Sequence, residues 1–254
     1  MKPLEIKGMA IGAGVPKTIT SLMAPNVHGA LEAAQEAIAA GVDCLEWRGD
    51  FCANKHDFDS MVHDARQLAA SLPHNPLLFT FRSESQGGQC TLPVEEYVAL
   101  NRVLIEDEFI DMVDIETWIG DKAVLDLVEC AHAHGVAAVV SYYNFRGTPS
   151  VEWMVSLLTH MVDLGADIPK IATMATCPRD ALNVLAATDE VARLHTERPL
   201  LTMAMGPTGS LTRVAGEMFG SALTFVAVQK ASAPGQVDVA QAKRMMGDIH
   251  STLA

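Results

Sequence analysis

Residues 137–173 read AAVVSYYNFRGTPSVEWMVSLLTHMVDLGADIPKIAT, and the order of patterns within them decides the fold class. A short β-rich apolar run, Ala137–Tyr142, ends at Tyr143-Asn144. Thr148-Pro149-Ser150 supplies residues that start helices, and a helical run follows near 150–165. Gly165 closes that run, where a C-terminal glycine belongs. A second apolar run, Ile168–Thr173, begins just beyond it. Strand, helix and strand in this order imply two parallel strands with the helix packed outside them.

The same unit recurs in both directions along the chain. Candidate strands are Thr18–Met23, Asp43–Trp47, Leu77–Phe81, Met112–Glu116, Ala137–Tyr142, Ile168–Thr173, Leu200–Ala204 and Leu223–Val228. Helical patterns fall near 28–40, 57–71, 93–106, 121–134, 150–165, 178–195, 209–219 and 237–252, with Pro178 in a first turn and Gly41 and Gly135 as further closing glycines. Eight such units in 254 residues fit an α/β (β/α)8 TIM barrel in one domain, 1–254. An open doubly wound sheet is the alternative on pattern alone. Leu4–Ile11, with Lys7-Gly8 at its centre, is expected to form a hairpin closing the barrel bottom.

Composition narrows the function classes. The formal net charge is -13 and 49% of residues are hydrophobic. An acidic chain argues against nucleic acid or an anionic membrane as partner, and no apolar run is long enough for a membrane span. Five cysteines without a CxxC spacing read as reduced thiols, and the N-terminus carries no signal-peptide pattern, so a cytoplasmic location is expected. His132 and His134 lie too close in sequence to share a helix face. No metal-ligand spacing, P-loop or dinucleotide fingerprint occurs, so neither a metal nor a cofactor is expected.

In a barrel, chemistry sits at the C-terminal ends of the strands. Those ends carry Ser21, Glu46-Trp47-Arg48-Gly49-Asp50, Arg82-Ser83, Asp114-Ile115-Glu116 and Ser141-Tyr142-Tyr143-Asn144, and Lys170 lies within the sixth strand. A lysine inside a short apolar strand faces the barrel or the outer helices. Burial would lower its pKa and make it a nucleophile toward ketones; a strand-end lysine reaching solvent is the plain alternative. Arg48, Arg82 and Arg213 follow separate elements that converge on one mouth, where three guanidinium groups would bind a small anionic substrate. Surface ion pairing with Glu46, Asp50 and Glu84 is the competing reading.

Several stretches together resemble type I 3-dehydroquinate dehydratase, a Schiff-base barrel family of the shikimate pathway. They are Leu45-Glu46-Trp47-Arg48, Pro76–Ser83, Gly165–Ala172, Ala215-Gly216-Glu217, Phe219-Gly220-Ser221 and Lys230–Gln236. The resemblance runs over nearly the whole chain. It implies a lyase that forms an imine between Lys170 and a cyclic keto acid, then eliminates a hydroxyl as water. It implies Arg213 on the substrate carboxylate and Ser232 and Gln236 on a closing loop. Ser21, Glu46, Arg48 and Arg82 would hold the ring hydroxyls and orient the imine. A homodimer and a role in aromatic amino-acid biosynthesis or quinate breakdown follow as expectations of the same kind.

The chain departs from the family at one functional unit. Tyr143 stands where the family has its catalytic histidine, and Gln86 where it has the paired glutamate. Gly206-Pro207 replaces the usual Ser-Lys. Three outcomes stay open: dehydration of 3-dehydroquinate with Tyr143, or a water it holds, moving the proton; a different imine reaction on a related cyclic keto acid with Tyr143 as acid or base; or capture of a keto acid without turnover.

Overall fold

The computed structural model describes residues 1–228 and 231–253. In chain order the strands are β1 (Leu4–Ile6), β2 (Met9–Ile11), β3 (Lys17–Leu22), β4 (Cys44–Arg48), β5 (Leu77–Thr80), β6 (Met112–Glu116), β7 (Ala137–Asn144), β8 (Ile168–Met174), β9 (Leu201–Met205), β10 (Leu223–Ala227) and β11 (Val237–Asp238). The helices are α1 (Val27–Ala39), α2 (Phe58–Ser71), α3 (Val94–Glu106), α4 (Asp121–Ala133), α5 (Val151–Asp163), α6 (Pro178–Leu194), α7 (Leu211–Val214), α8 (Gly216–Phe219) and α9 (Val239–Leu253).

Strands β3 to β10 run parallel, each paired to the next in sequence as far as β9, with β10 back beside β3. The ring closes between β9 and β10 through Ala222 N–H on Leu200 O at 2.7 Å and Thr202 N–H on Ser221 Oγ at 3.1 Å. The architecture is a (β/α)8 barrel, and the open sheet is set aside.

Period-two alternation divides each barrel strand between two cores. Leu45, Trp47, Phe79, Val113, Ile115, Val140 and Ile171 face outward and meet buried helix residues such as Ala34, Met61, Leu100, Leu127 and Leu158. Ile19, Cys44, Leu78, Met112, Val139, Ile168 and Leu201 face inward at the N-terminal end. The hairpin of β1 and β2 covers that end: Ile6 and Ile11 belong to the same inner cluster.

Local sequence explains the helix starts. Asn26, Asp57 and Ser150 each accept the backbone N–H three residues on, and Pro178 opens α6. Gly165, at φ +91°, takes the left-handed conformation that ends the α5 segment.

Two expectations needed correction. The segment read as one helix over 209–219 is a 3-10 turn, Pro207–Gly209, followed by α7 and α8. Thr212 Oγ1 donates to Gly209 O at 2.8 Å and accepts from Ala204 N–H at 2.9 Å, tying the segment to β9 instead of to a longer helix. The helix expected from 237 begins at Val239, because Val237-Asp238 pairs in parallel with Val226-Ala227. The Asp238 carboxylate caps the helix by accepting from Ala240 and Gln241 N–H.

Candidate active site

The alternation that fills the barrel floor with apolar residues lifts polar ones into the next layers. From Cys44, two steps along β4 reach Glu46 and then Arg48. From Met112, β6 reaches Asp114 and Glu116; from Val139, β7 reaches Ser141 and Tyr143; from Ile168, β8 reaches Lys170. Register sets Ser141 beside Lys170 and Ser21 beside Glu46.

Lys170 points inward and has no exposed surface. Its Nζ donates to Asp114 Oδ2 at 2.7 Å and lies 3.7 Å from Glu46 Oε1. Aromatic rings flank the amine, that of Phe225 at 4.9 Å and that of Tyr143 at 5.4 Å to the centroids. Burial pushes the ammonium toward its neutral form, but the charges around it, Asp114 first, outweigh burial and hold the amine above its ordinary value. A lysine neutralised by burial, expected from the sequence, is therefore corrected: the resting group is an ammonium. Burial likewise opposes the charge on Asp114, yet Arg82 and then Lys170 bring its pKa down to about 2.

The three arginines converge but do not form one cationic ring. Arg48 is bound in a fork by Asp50, with both contacts at 2.8 Å, as the ion-pair reading allowed. Arg82 donates to Glu116 at 2.6 Å and Ser141 at 3.1 Å, lies 2.9 Å from Asp114, and is covered by the Tyr143 ring 4.2 Å from its central carbon. Glu116 is fixed in turn by Ser83 N–H and by the Trp118 indole. Arg213 differs from both. It is 2% exposed and, among the described residues, its hydrogen bonds go to neutral acceptors, Phe225 O at 3.3 Å, Pro234 O at 3.2 Å and the Met203 sulfur at 3.8 Å. Its Nε has no hydrogen-bond partner among the described residues, and burial brings its pKa down to about 10. A buried guanidinium without a carboxylate is a seat waiting for one.

Ser21, Ser232 and Gln236 close one side. Ser21 Oγ donates to Glu46 Oε2 at 2.5 Å and accepts from Ser232 Oγ at 3.0 Å, and Gln236 makes two 2.8 Å contacts with Ser232. Gly206, where the chain departs from Ser-Lys, has φ +84° and donates its N–H to Pro234 O at 3.0 Å, docking this loop. Lys230, at the head of the loop motif, lies outside the described residues.

Tyr143 and Gln86 are in contact: Gln86 Oε1 accepts the Tyr143 backbone N–H at 2.7 Å. Phe145 stacks on Tyr143 and lies against Gly87, where an added Cβ would stand 2.5 Å from the ring. Glu46, Arg48, Arg82, Gln86, Tyr143, Ser232 and Gln236 thus share the wall of one cavity, with Lys170 beneath it and Arg213 behind Met203 and Phe225. A wider groove at the opposite end of the barrel holds the Lys7–Asp111 ion pair and a His132–Asp167 hydrogen bond.

Sequence reading placed Asp114, Glu116 and Ser141 at strand ends without giving them roles. Their signal was the shared parity with Lys170, Arg82 and Tyr143 along each strand.

Fold and site together define a parallel barrel with a lysine–carboxylate centre buried at the mouth and an uncompensated guanidinium beside it. The chain belongs to the type I 3-dehydroquinase family, whose family model matches residues 18–252. It is 43% identical over 250 residues to 3-dehydroquinate dehydratase of Shigella boydii and equally to that of Escherichia coli O9:H4, covering 98% of this chain and 99% of each relative. Among solved structures it matches type I 3-dehydroquinate dehydratase of Clostridium difficile with TM-score 0.94 at 35% identity, covering 98% of both chains. The 3-dehydroquinate dehydratase of Geobacillus kaustophilus matches with TM-score 0.94 at 33% identity, covering 98% of this chain and 97% of that one.

Proposed function

We propose that this chain is a lyase that converts 3-dehydroquinate to 3-dehydroshikimate through an imine on Lys170. The observation that carries the reading is Lys170 itself: a fully buried amine at the top of a barrel, under a cavity lined by Arg48, Arg82, Tyr143, Ser232 and Gln236. Family membership supplies the substrate, and the Clostridium difficile relative was solved with covalent modified comenic acid.

Arg213 takes the substrate carboxylate, which gives that buried cation its counter-charge. Ser232 and Gln236 cover the ring, and Glu46, Arg48 and Arg82 hold its hydroxyls with Ser21 behind Glu46. Lys170 must shed a proton before it attacks the ketone, so imine formation accelerates as pH rises toward the raised pKa of the amine. The imine acidifies the neighbouring carbon, and Tyr143, or a water it holds, carries the proton. Gln86 sets the backbone of Tyr143 from below.

A second reading is favoured by the same pair. With a phenol for an imidazole and an amide for a carboxylate, the site fits a different imine reaction on a related cyclic keto acid. The enzyme's cytoplasmic location, single domain and homodimeric state belong to the proposal; five free thiols and family membership support them, and light scattering tests the last. The functional test is to add 3-dehydroquinate and follow absorbance of the conjugated enone. Enone formation abolished by Lys170→Ala supports dehydration; a covalent adduct without enone favours the second reading; absence of both adduct and enone overturns the proposal.

A further inference from the structure

Among the described residues two carboxylates stand within 4 Å of Lys170 Nζ, Asp114 and Glu46, and of these Asp114 alone presents an oxygen at hydrogen-bond distance. Glu46 stands at 3.7 Å with both oxygens engaged, Oε1 by Thr80 at 2.9 Å and Oε2 by Ser21 at 2.5 Å. Glu116 is turned to Arg82, Ser83 N–H and Trp118. Asp114 Oδ2 meets Nζ at 2.7 Å, while its Oδ1 accepts from Ser141 at 2.6 Å. The Tyr97 hydroxyl, from α3, pins the strand by donating to Asp114 O at 3.1 Å. The carboxylate is fully buried and cannot turn toward water.

We propose that Asp114 is the counter-ion of the Lys170 imine, accepting its N–H and keeping the nitrogen protonated while the substrate loses a proton and a hydroxyl. This rests on the imine reading above and goes beyond it by assigning the residue that maintains the electron sink.

The charge balance supports the assignment. Ammonium plus ketone gives protonated imine plus water, so the charge beside Asp114 is the same before and after the bond forms. A counter-ion already placed for the ammonium is placed for the imine without reorganisation. When the neighbouring carbon loses its proton, the C–H electron pair becomes a C=C bond and the C=N pair moves onto nitrogen, leaving a neutral enamine that still carries N–H. The enamine pair then expels the hydroxyl, which takes a proton and leaves as water, and the protonated imine returns. One further water hydrolyses it to the ammonium and the ketone. A neutral imine would be a far weaker sink at the proton-loss step.

The charged and titratable groups facing the pair are Glu46 on β4, Arg82 beyond β5, Glu116 on β6 itself, Tyr97 on α3 and Tyr143 on β7. The test uses enzyme labelled with ε-15N lysine, saturated with 3-dehydroquinate, its imine nitrogen followed by NMR across the neutral and alkaline range. The wild-type nitrogen stays protonated through neutrality. In Asp114→Asn it loses its proton about 1–3 pH units lower, the range by which a neighbouring charge moves such a group. The alkaline limb of turnover moves with it, while imine formation at neutral pH becomes faster. An Asn variant whose nitrogen titrates as in wild type overturns the inference. If that variant does not fold, a neutral imine in the wild-type protein at neutral pH overturns it equally. Absence of any imine signal removes the Lys170 reading and this inference together, whereas a signal with an unmoved titration removes the counter-ion alone.

Discussion

Arg213→Met separates what the buried guanidinium costs the fold from what it does for the substrate. Burial brings the Arg213 pKa from 12.5 to about 10, which corresponds to about 3 kcal/mol of unfavourable charge burial at 1.36 kcal/mol per pH unit. A base held below its unfolded value destabilises the fold fully at all pH below about 10, and the penalty is relieved only as pH rises above that. Methionine removes it but takes one hydrogen bond from Phe225 O and one from Pro234 O, which keeps the Gly206 N–H, at about 1 kcal/mol each. The net expectation is a ligand-free protein more stable by about 1 kcal/mol, a Tm rise of about 2–4 °C for a chain of this size. The same change removes the partner of the substrate carboxylate. Breaking a buried ion pair costs about 3–5 kcal/mol, so kcat/KM falls by roughly 10²- to 10⁴-fold. Calorimetry without ligand and steady-state kinetics read the two halves. A variant that is less stable than wild type, or one that keeps its kcat/KM, refutes the assignment of Arg213 as an uncompensated carboxylate seat.

Other perturbations test the neighbouring parts. Tyr143→Phe keeps the ring over Arg82 and removes the hydroxyl; turnover falls by about 10²- to 10⁴-fold if the phenol carries the proton, and unchanged turnover excludes it. The double change Tyr143→His, Gln86→Glu raises dehydratase activity if the remaining pocket is that of the family. Gly235→Ala places a Cβ 2.3 Å from Gly206 O at a residue with φ +79°; it pushes the 231–236 loop off its dock and raises KM, and an unaltered KM would show that the loop does not cover the substrate. Asp114, brought from 3.8 to about 2, contributes about 2 kcal/mol that is present above its unfolded value and lost as pH falls toward 2. Denaturant titrations stepped through that window read the loss, and a flat profile would contradict the pairing.

The sequence shows the barrel because each strand is short, rich in apolar residues and alternates with a helical segment, several of which have their own start and stop residues. It shows Lys170 for a related reason: a lone cation in an apolar strand has few tolerable environments. What it cannot show is which neighbour the cation meets. Ser141 is opposite Lys170 in register, but the carboxylate that binds the amine comes from β6, one strand further round. That placement depends on barrel curvature and the length of a lysine side chain. The same limit misjudged the pKa of the amine, since burial alone points down and the Asp114 charge reverses the direction. Arg48 shows the opposite case. Its partner, Asp50, lies two residues away, and the pairing was open to reading from sequence. The split of α7 from α8 was not, because Thr212 had to be seen bonding back to β9.

The most direct measurement is the mass of the intact protein after incubation with 3-dehydroquinate and reduction by borohydride, followed by peptide mapping. A single reduced adduct on Lys170, absent from Lys170→Ala, is the result this account predicts. An unmodified wild-type protein, or an adduct carried by a different lysine, would contradict it.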